Sequence, residues 1–256
     1  MLFKQYFKMI LRNWKKNKIY TVINIAGLGI AFSITLLISN HVITEWTMDK
    51  FHSNAGNIYR VTEQHLASKA WESLTAYLIG PYAKQEIPGI VNYTRIMPYN
   101  SYGIKNNEEE EYIPIPQSLF IDENFFQMFD FSIVQGEIDS TVLNWIVVTR
   151  NYAKQHFGSQ NPIGGTVFIK DLSSEKDYGC VARIVALIED LPANSSIQSD
   201  IFIDSRVISK NRDILYWGCC SSYTYLQLAS TADLSVVERM IPEMIEKNNS
   251  YLKANE

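Results

Sequence analysis

The stretch that decides the fold class is INIAGLGIAFSITLLI, residues 23–38. It lies within a longer run, from Ile19 to Thr44, that contains no Asp, Glu, Lys or Arg. A helix rises about 1.5 Å per residue, so about 20 residues of this run would reach across the ~30 Å hydrocarbon core of a bilayer. We therefore predict a transmembrane helix over residues 19–46.

Two other interpretations of this run are a buried helix of a soluble protein and a cleaved signal peptide. A signal peptide has an apolar run of about 7–15 residues and a cleavage site flanked by small residues. The apolar run here is longer than that. The residues that follow INIAGLGIAFSITLLI are SNHVITEW, residues 39–46, and they do not resemble a cleavage site. A permanent membrane anchor is the favoured interpretation.

The segment before the run has the pattern of an amphipathic helix. Apolar residues recur at intervals of three and four, as on one helical face: Phe3, Tyr6, Phe7, Ile10, Leu11 and Trp14. Basic residues spaced by four occupy another face: Lys4, Lys8 and Arg12. A basic amphipathic helix of this kind lies in the headgroup plane, so residues 1–18 are predicted to be an interfacial helix.

The distribution of charge predicts how the chain is oriented in the membrane. Residues 1–18 carry six basic residues and no acidic residue, and the remainder holds 17 basic against 27 acidic residues. Lys15, Lys16 and Lys18 stand directly before the apolar run, and basic residues beside a span stay in the cytoplasm. The N-terminus is therefore predicted to be cytoplasmic, and everything after about Trp46 to be outside. The whole chain has a formal net charge of −4 and a pI near 5.7, so nucleic acid is not an expected partner.

The exported part, from residue 47, mixes short strands with short helices and lacks the regular alternation of a parallel sheet. The predicted fold class is α+β, with the N-terminal transmembrane helix followed by a mixed α/β extracytoplasmic domain. Strands are predicted at 58–64, 91–97, 117–122, 145–149, 167–170, 181–189, 201–204 and 222–229. Helices are predicted at 73–86, in the segment ENFFQMF, at 151–157, and after an N-cap at Thr231.

The residues that carry chemistry form no catalytic pattern. There is no phosphate-binding loop and no metal-ligand spacing, and the run NNEEEE at 106–111 is expected to be a solvated hairpin tip rather than a calcium loop. Asp130, Asp190 and Asp204 are expected to cap helices or form turns at the ends of elements. Gly164 and Gly165 are expected to form a tight turn. The four histidines are expected to be structural: His41, His52, His65 and His156. No catalytic, cofactor-binding or metal residue is predicted.

The three cysteines, Cys180, Cys219 and Cys220, do not have the spacing of a zinc site. One bridge from Cys180 to either of the other two would be compatible with an oxidising compartment. Free, buried thiols are the favoured interpretation, because free cysteine is among the most buried residue types.

Five phrases resemble one family in an ordered series. They are RNWKKNKIYTVINIAGLGIAFS at 12–33, FHSNAGNIYRV at 51–61, FFQMFDFSIVQG at 125–136, AKQHFGSQNPIGGTV at 153–167, and ALIEDLPANSSIQSDIF at 186–202. Together they resemble the N-terminal part of an FtsX-like ABC-transporter permease of the Bacteroidetes type, with a first transmembrane helix and a MacB-like periplasmic core domain. One departure is Asn144–Trp145, where the pattern leads us to expect a proline.

The resemblance implies a domain organisation and a set of partners. Residues 47–240 would be the periplasmic core domain, with a porter-like part and a β-rich lobe, and residues 241–256 a tail leading toward a second membrane helix outside this sequence. The chain is accordingly expected to be a fragment. The implied partners are a separate ABC ATPase subunit, a second copy or a sister permease, a periplasmic adaptor and the lipid bilayer. The implied location is the bacterial inner membrane, and no cofactor is implied.

Three functions compete at this point. The leading one is a non-enzymatic transporter component whose outer domain follows ATPase-driven motion during export or extraction of a substrate. In that case the motif residues Phe51, His52, Tyr59, Arg60, Phe125, Phe126 and Phe129 are structural, with Phe51 and Tyr59 packed in the core. The alternatives are a membrane-tethered periplasmic sensor or binding module, and a membrane-anchored enzyme, which the missing catalytic pattern disfavours.

Overall fold

The computed structural model describes residues 2–64, 69–115, 118–139, 141–174, 179–209, 217 and 220–249. The chain divides into two compact units, residues 1–48 and residues 49–256. The first unit is helical, and the second holds every described strand.

The first unit consists of α1 (Leu2–Lys16) and α2 (Lys18–Thr47). They meet at Asn17, whose amide Nδ2 donates to Asn13 Oδ1 at 2.9 Å. In the described part of the chain, α2 is the one helix long and apolar enough to cross a membrane, with a mean hydropathy of 2.1 over an 18-residue window. None of its side chains is buried within the unit. The predicted boundaries at 18 and 46 lie within a residue or two of the helix ends, and their membrane placement stays a prediction.

Several hydroxyl groups of α2 donate to carbonyl oxygens of the same helix. The hydroxyl groups of Ser33 and Thr35 donate to the carbonyl oxygens of Gly29 and Ala31, each at 2.8 Å. This matters in hydrocarbon, where no water is available and an unsatisfied donor costs several kcal/mol. The hydroxyl groups of Ser33 and Thr35 are therefore compatible with a lipid environment.

One mixed sheet organises the second unit. Ten of its strands lie in the order β1 (Ile58–Arg60), β14 (Cys220–Leu228), β5 (Ile90–Pro98), β8 (Ser118–Ile121), β13 (Ile201–Asp204), β10 (Trp145–Thr149), β12 (Cys180–Ile188), β11 (Thr166–Asp171), β6 (Tyr102–Lys105) and β7 (Ile113–Pro114). β4 (Thr75–Ala76) also pairs with β14, β9 (Ile133–Gly136) pairs with β12, and β2 (Glu63–Gln64) and β3 (Trp71–Glu72) form a separate two-stranded sheet.

Most strand pairs are antiparallel, but β10 with β12 and β8 with β13 are parallel. The helices are α3 (Ile79–Glu86), α4 (Phe125–Met128), α5 (Arg150–Phe157), α6 (Arg206–Ser209) and α7 (Leu234–Asn248), with a 3₁₀ turn at Ala55–Asn57. This mixed α/β architecture behind an apolar N-terminal helix confirms the predicted fold class. The domain division at residue 240 stays a prediction, although α7 runs across that position.

Both faces of the central strands are covered, so every residue of β10 is buried. Ile146 and Val148 point into one core together with Phe120, whereas Trp145 and Val147 point into another. This alternation follows the two-residue period of a strand. A third core lies between α3, α7 and β14, where Ala83 has no exposed surface.

A buried ion pair joins β5 to β8. Arg95 Nε lies 2.7 Å from Asp122 Oδ2, and Nη2 donates to Oδ1 at 2.8 Å. The guanidinium also donates to the carbonyl oxygen of Tyr77 at 2.8 Å and lies 3.6 Å from the centre of its ring. Because removing one partner would leave the other charge buried and unpaired, the pair fixes how these strands pack. Sequence reasoning missed it, since neither residue stands in a motif.

The predicted helix at 73–86 is wrong over its first half. The structure places strand β4 there, and the helix begins only at Ile79. Thr75 Oγ1 donates to the carbonyl oxygen of Ser222 at 3.2 Å, so a distant partner holds this segment extended. Pro81 occurs in the first turn of α3, where its missing N–H costs least.

Two smaller predictions also need correction. The strand predicted at 58–64 is two strands, β1 and β2. The N-cap of α7 is Asp233, which accepts from the backbone N–H of Ser235 at 2.9 Å, and not Thr231. Serine, aspartate and threonine all cap helices, so sequence alone leaves the start uncertain by a few residues.

Asn144, where the family pattern led us to expect proline, has a φ of 55°. Proline is locked near −65°, so the chain at this turn differs from the expected one. The backbone N–H of Asn144 donates to Asp204 Oδ2 at 3.0 Å, and its side chain donates to the carbonyl oxygen of Val181 at 3.1 Å. These bonds hold the turn that leads into β10.

The cysteine geometry favours free thiols. Cys180 begins β12 and is half-buried, not buried as expected, and Cys220 begins β14. Four strands separate β12 from β14 in the sheet, which at the usual spacing places the two about 24 Å apart. A disulfide requires Cα atoms within about 7 Å, so a bridge from Cys180 to Cys220 is excluded. Cys219 lies outside the described residues.

Candidate functional site

The second unit begins at Asp49, and its first five residues are held by hydrogen bonds to residues of two motif phrases, 125–136 and 186–202. Asp49 has a φ of 56°, a conformation that aspartate tolerates better than most residues. Its backbone N–H donates to the carbonyl oxygen of Asn194 at 2.9 Å. Its carboxylate accepts from the backbone N–H of Ser196 at 2.8 Å and also from the Ser196 hydroxyl. We call residues 49–53, with their partners at 129–131 and 194–196, the junction.

His52 is the buried centre of the junction. Its side chain is 4% exposed, and Nδ1 accepts from the backbone N–H of Asp130 at 2.9 Å. The Asp130 carboxylate in turn accepts from the backbone N–H of Ser53. Because Nδ1 is an acceptor, the neutral ring carries its proton on Nε2, which has no hydrogen-bond partner among the described residues.

Burial sets the protonation of this histidine. Loss of solvent lowers the pKa of His52, and the nearby carboxylates of Asp49 and Asp130 oppose that shift without reversing it. The imidazole is therefore neutral at neutral pH, the form that the bond from Asp130 requires.

Aromatic rings pack around His52. The ring centres of Phe129 and Phe131 lie 5.0 Å and 5.2 Å from the imidazole, both in edge contact. Phe131 stacks on Phe125, which is fully buried. The structural role predicted for Phe125, Phe126 and Phe129 is confirmed by their packing in this core.

The predicted burial of Phe51 and Tyr59 is wrong. Phe51 is 36% exposed and Tyr59 is 38% exposed. The Phe51 ring lies outside the histidine, with a centre-to-centre distance of 4.0 Å, and it is His52 that enters the core. The imidazole of His52 is the ring that is buried, because its Nδ1 accepts a hydrogen bond from the backbone N–H of Asp130. A phenylalanine ring has no acceptor for this bond.

The remaining predicted residues are spread over the molecule. Asp190 accepts from the backbone N–H of Asn151 at the start of α5, and Asp204 pairs with Arg206. Gly164, with a φ of 85°, forms the expected turn, and the acidic run lies between the paired strands β6 and β7. His156 stacks on Tyr152, His41 belongs to α2, and His65 lies outside the described residues. Within the described part of the chain, no three metal-ligating side chains come together.

A groove of about 1030 Å³ is the second feature of interest. One wall is the chain from Tyr59 to Gln64, and the other is α7. The floor is apolar and includes Leu226, Leu228 and Val237, all nearly fully buried. The sequence suggested no such groove, because its walls come from segments about 180 residues apart.

Comparison with known proteins identifies the family. The family model of the MacB-like periplasmic core domain matches residues 21–244. No curated relative matches the chain by sequence. The match covers most of the chain and confirms the family that the five phrases indicated.

Solved structures share the fold at low sequence identity. A domain of a protein assigned as a permease from Porphyromonas gingivalis is 21% identical, with a TM-score of 0.62 over 77% of this chain and 87% of that one. The periplasmic region of MacB from Actinobacillus actinomycetemcomitans is 13% identical, with a TM-score of 0.51 over 76% and 84%. The extracellular domain of the noncanonic ABC-type transporter YknZ from Gram-positive bacteria is 10% identical, with a TM-score of 0.50 over 75% and 92%. The chain belongs to the family of proteins that carry a MacB-like periplasmic core domain.

Proposed function

We propose that this chain is part of the permease component of an ABC transporter of the mechanotransmission type. In this proposal it is not an enzyme, and the ATPase is a separate subunit. α2 anchors the chain in the inner membrane with the N-terminus in the cytoplasm, and residues 49–256 stand in the periplasm. Family membership and the similarity to a domain of YknZ, described as an ABC-type transporter, support this proposal.

The observation that carries the proposal is the junction. The chain leaving α2 is held within five residues by bonds to Asn194, Ser196 and Asp130, which belong to distant parts of the domain. A flexible linker would absorb a displacement of the membrane helix, whereas this attachment would pass it on.

The mechanism would then be mechanical. Nucleotide-driven dimerisation of the ATPase would move the membrane helices, and the junction would pull on the segments 129–131 and 194–196. Because these segments flank β9 and β13, the displacement would reach the centre of the sheet. A second copy or a sister permease would complete the transporter, and a periplasmic adaptor would engage the outer domain.

A membrane-tethered sensor or binding module is the second candidate function. The groove favours it, because an apolar cavity of this size is typical of ligand-binding sites. A sensor needs the groove but does not need an ATPase, and this difference separates the two functions.

The test begins with purification of the tagged full chain from its native membrane in nanodiscs. We expect an ABC ATPase to co-purify. Trapping that ATPase with ATP and vanadate should change the hydrogen exchange of peptides from residues 125–136 and 186–202. Four glycine and serine residues inserted between Met48 and Asp49 should abolish this response, because they uncouple the junction from α2.

The matched control is the same insertion between Glu109 and Glu110, in the exposed hairpin tip, where the response should persist. Absence of any ATPase from the purified complex, with exchange insensitive to nucleotide, would contradict the permease proposal and favour the sensor. A response that survives the insertion at Met48 would leave the permease standing but remove the junction from its mechanism.

A further inference from the structure

We propose that the groove between α7 and the chain at 59–64 binds a basic, amphipathic peptide in an extended conformation. This inference deepens the proposed function by giving a substrate class to the outer domain. It concerns equilibrium binding alone, so it is measured without nucleotide and without transport.

The floor of the groove provides the apolar half of the recognition. Ile79, Leu226 and Leu228 come from α3 and β14, and Val237, Ile241 and Ile245 come from one face of α7. With about 1030 Å³ to fill, the groove is at the upper end of the range for ligand sites. Leu226 and Leu228 are already nearly fully buried, so a bound ligand would remove from water mainly the exposed parts of the half-buried Ile241 and Ile245, and this burial favours binding.

The rim of the groove provides the charged half of the recognition, and its charged side chains are mainly acidic. Glu63, Glu238 and Glu246 line the groove, all three are exposed, and none forms an ion pair within the described part of the chain. Arg60 is the one basic residue of the described lining, and it lies opposite Tyr225 in the pairing of β1 with β14. Lys247 of the same helix pairs instead with Glu86. The field at the rim therefore attracts cations.

The spacing of the rim carboxylates favours a ligand with several separated positive charges. Glu238 and Glu246 are eight residues apart on α7, which corresponds to about 12 Å along the helix axis. In an extended peptide, side chains at positions i and i+4 lie on one face and about 13 Å apart. Alternating basic and apolar residues would thus present two cations to the two carboxylates and apolar side chains to the floor.

Trp71 is an independent indication of a ligand. It lies in the short strand β3 at the edge of the groove and is 69% exposed. The ring face of tryptophan is the best cation–π partner among the side chains. It would cover a lysine or arginine of the bound peptide.

The experiment uses the full chain in nanodiscs of phosphatidylcholine, with empty nanodiscs as the blank. The probe is a fluorescein-labelled, seven-residue peptide of alternating lysine and leucine, followed by fluorescence anisotropy. We expect saturable binding that weakens as salt is raised. A peptide of alternating glutamate and leucine, and one of alternating lysine and serine, should each bind at least tenfold more weakly.

Variants of the rim locate the site. Glu238→Gln with Glu246→Gln should weaken the lysine–leucine peptide roughly tenfold, since two exposed charge pairs are lost. Glu243→Gln is the matched control, because Glu243 is an exposed carboxylate of the same helix that is absent from the described lining. It should leave the affinity unchanged.

Three results would overturn the inference: no binding at millimolar peptide, equal binding of the acidic peptide, or equal losses in the rim and control variants. None of them would bear on ATPase association or on nucleotide-dependent exchange. The proposed function and the binding site can therefore fail separately.

Discussion

At the scale of single residues, the protonation of His52 makes the stability of the folded junction depend on pH. The folded protein keeps its imidazole neutral because burial lowers the pKa, whereas the unfolded chain titrates near 6.5. The unfolded state therefore binds the proton first as pH falls. The stability contributed by neutral His52 is complete above pH 6.5 and is lost below it, with a slope of at most about 1.4 kcal/mol per pH unit.

We expect the thermal midpoint of the second unit to fall between pH 7.5 and pH 5.5, and His52→Gln to flatten that dependence. Glutamine offers a carbonyl oxygen to the backbone N–H of Asp130 but does not titrate. His156→Gln is the control, because His156 lies on the exposed face of α5, and it should keep the wild-type profile. The measurement is tryptophan fluorescence during heating of the full chain in nanodiscs. An unaltered profile in His52→Gln would assign the pH dependence to other groups.

A substitution at Gly136 would test how closely strand β9 approaches strand β12. Its φ is 83°, and a Cβ atom there would stand 2.1 Å from the carbonyl oxygen of Val185. Gly136→Ala should destabilise the domain by about 3 kcal/mol or more, because a backbone clash adds to the cost of the left-handed conformation. Gly158 has a φ of 61° and a ψ of −116° with nothing within 4 Å of an added Cβ, so Gly158→Ala should cost backbone strain alone, about 1–3 kcal/mol, and less than Gly136→Ala. Equal losses in urea unfolding would contradict the clash.

At the scale of elements, α1 and α2 predict a topology. Six basic residues on the N-terminal side of α2 should hold that side in the cytoplasm. An alkaline phosphatase fusion after Glu256 should be active, and a green fluorescent protein fusion at the same place should stay dark.

Replacing Lys15, Lys16 and Lys18 with glutamine should lower the phosphatase signal, because the charge bias that sets the orientation is weakened. The same number of replacements at Lys105, Lys154 and Lys170, in the second unit, should have no effect on it. A fluorescent C-terminal fusion in the wild-type chain would reverse the predicted orientation.

Some elements could be predicted from sequence because their own residues determine them. Four of the five residues 145–149 are apolar and four are β-branched, and Gly158 ends α5 in a conformation that glycine favours. The segment around Thr75 could not be predicted, since its extended form depends on a partner 147 residues away. The same limit applies to the junction: the motif phrases contain His52, Asp130 and Ser196 but not Asp49, and the bond from Ser196 to Asp49 also spans 147 residues.

At the scale of the whole molecule, the order of the strands excludes a bridge between Cys180 and Cys220. Cys180 and Cys220 begin strands that four others separate, so closing a bridge between them would require the central sheet to come apart. We therefore expect a reducing agent to leave the thermal midpoint unchanged. If a bridge existed, the closed loop of about 40 residues would contribute roughly 3–4 kcal/mol in the chain-entropy model, and its reduction would lower the midpoint by several degrees.

Alkylation of the unfolded, unreduced protein followed by mass spectrometry should label all three cysteines. A single labelled cysteine would mean that a bridge exists. If that bridge joined Cys180 to Cys220, it would also contradict the strand order on which the positions of the junction and the groove depend.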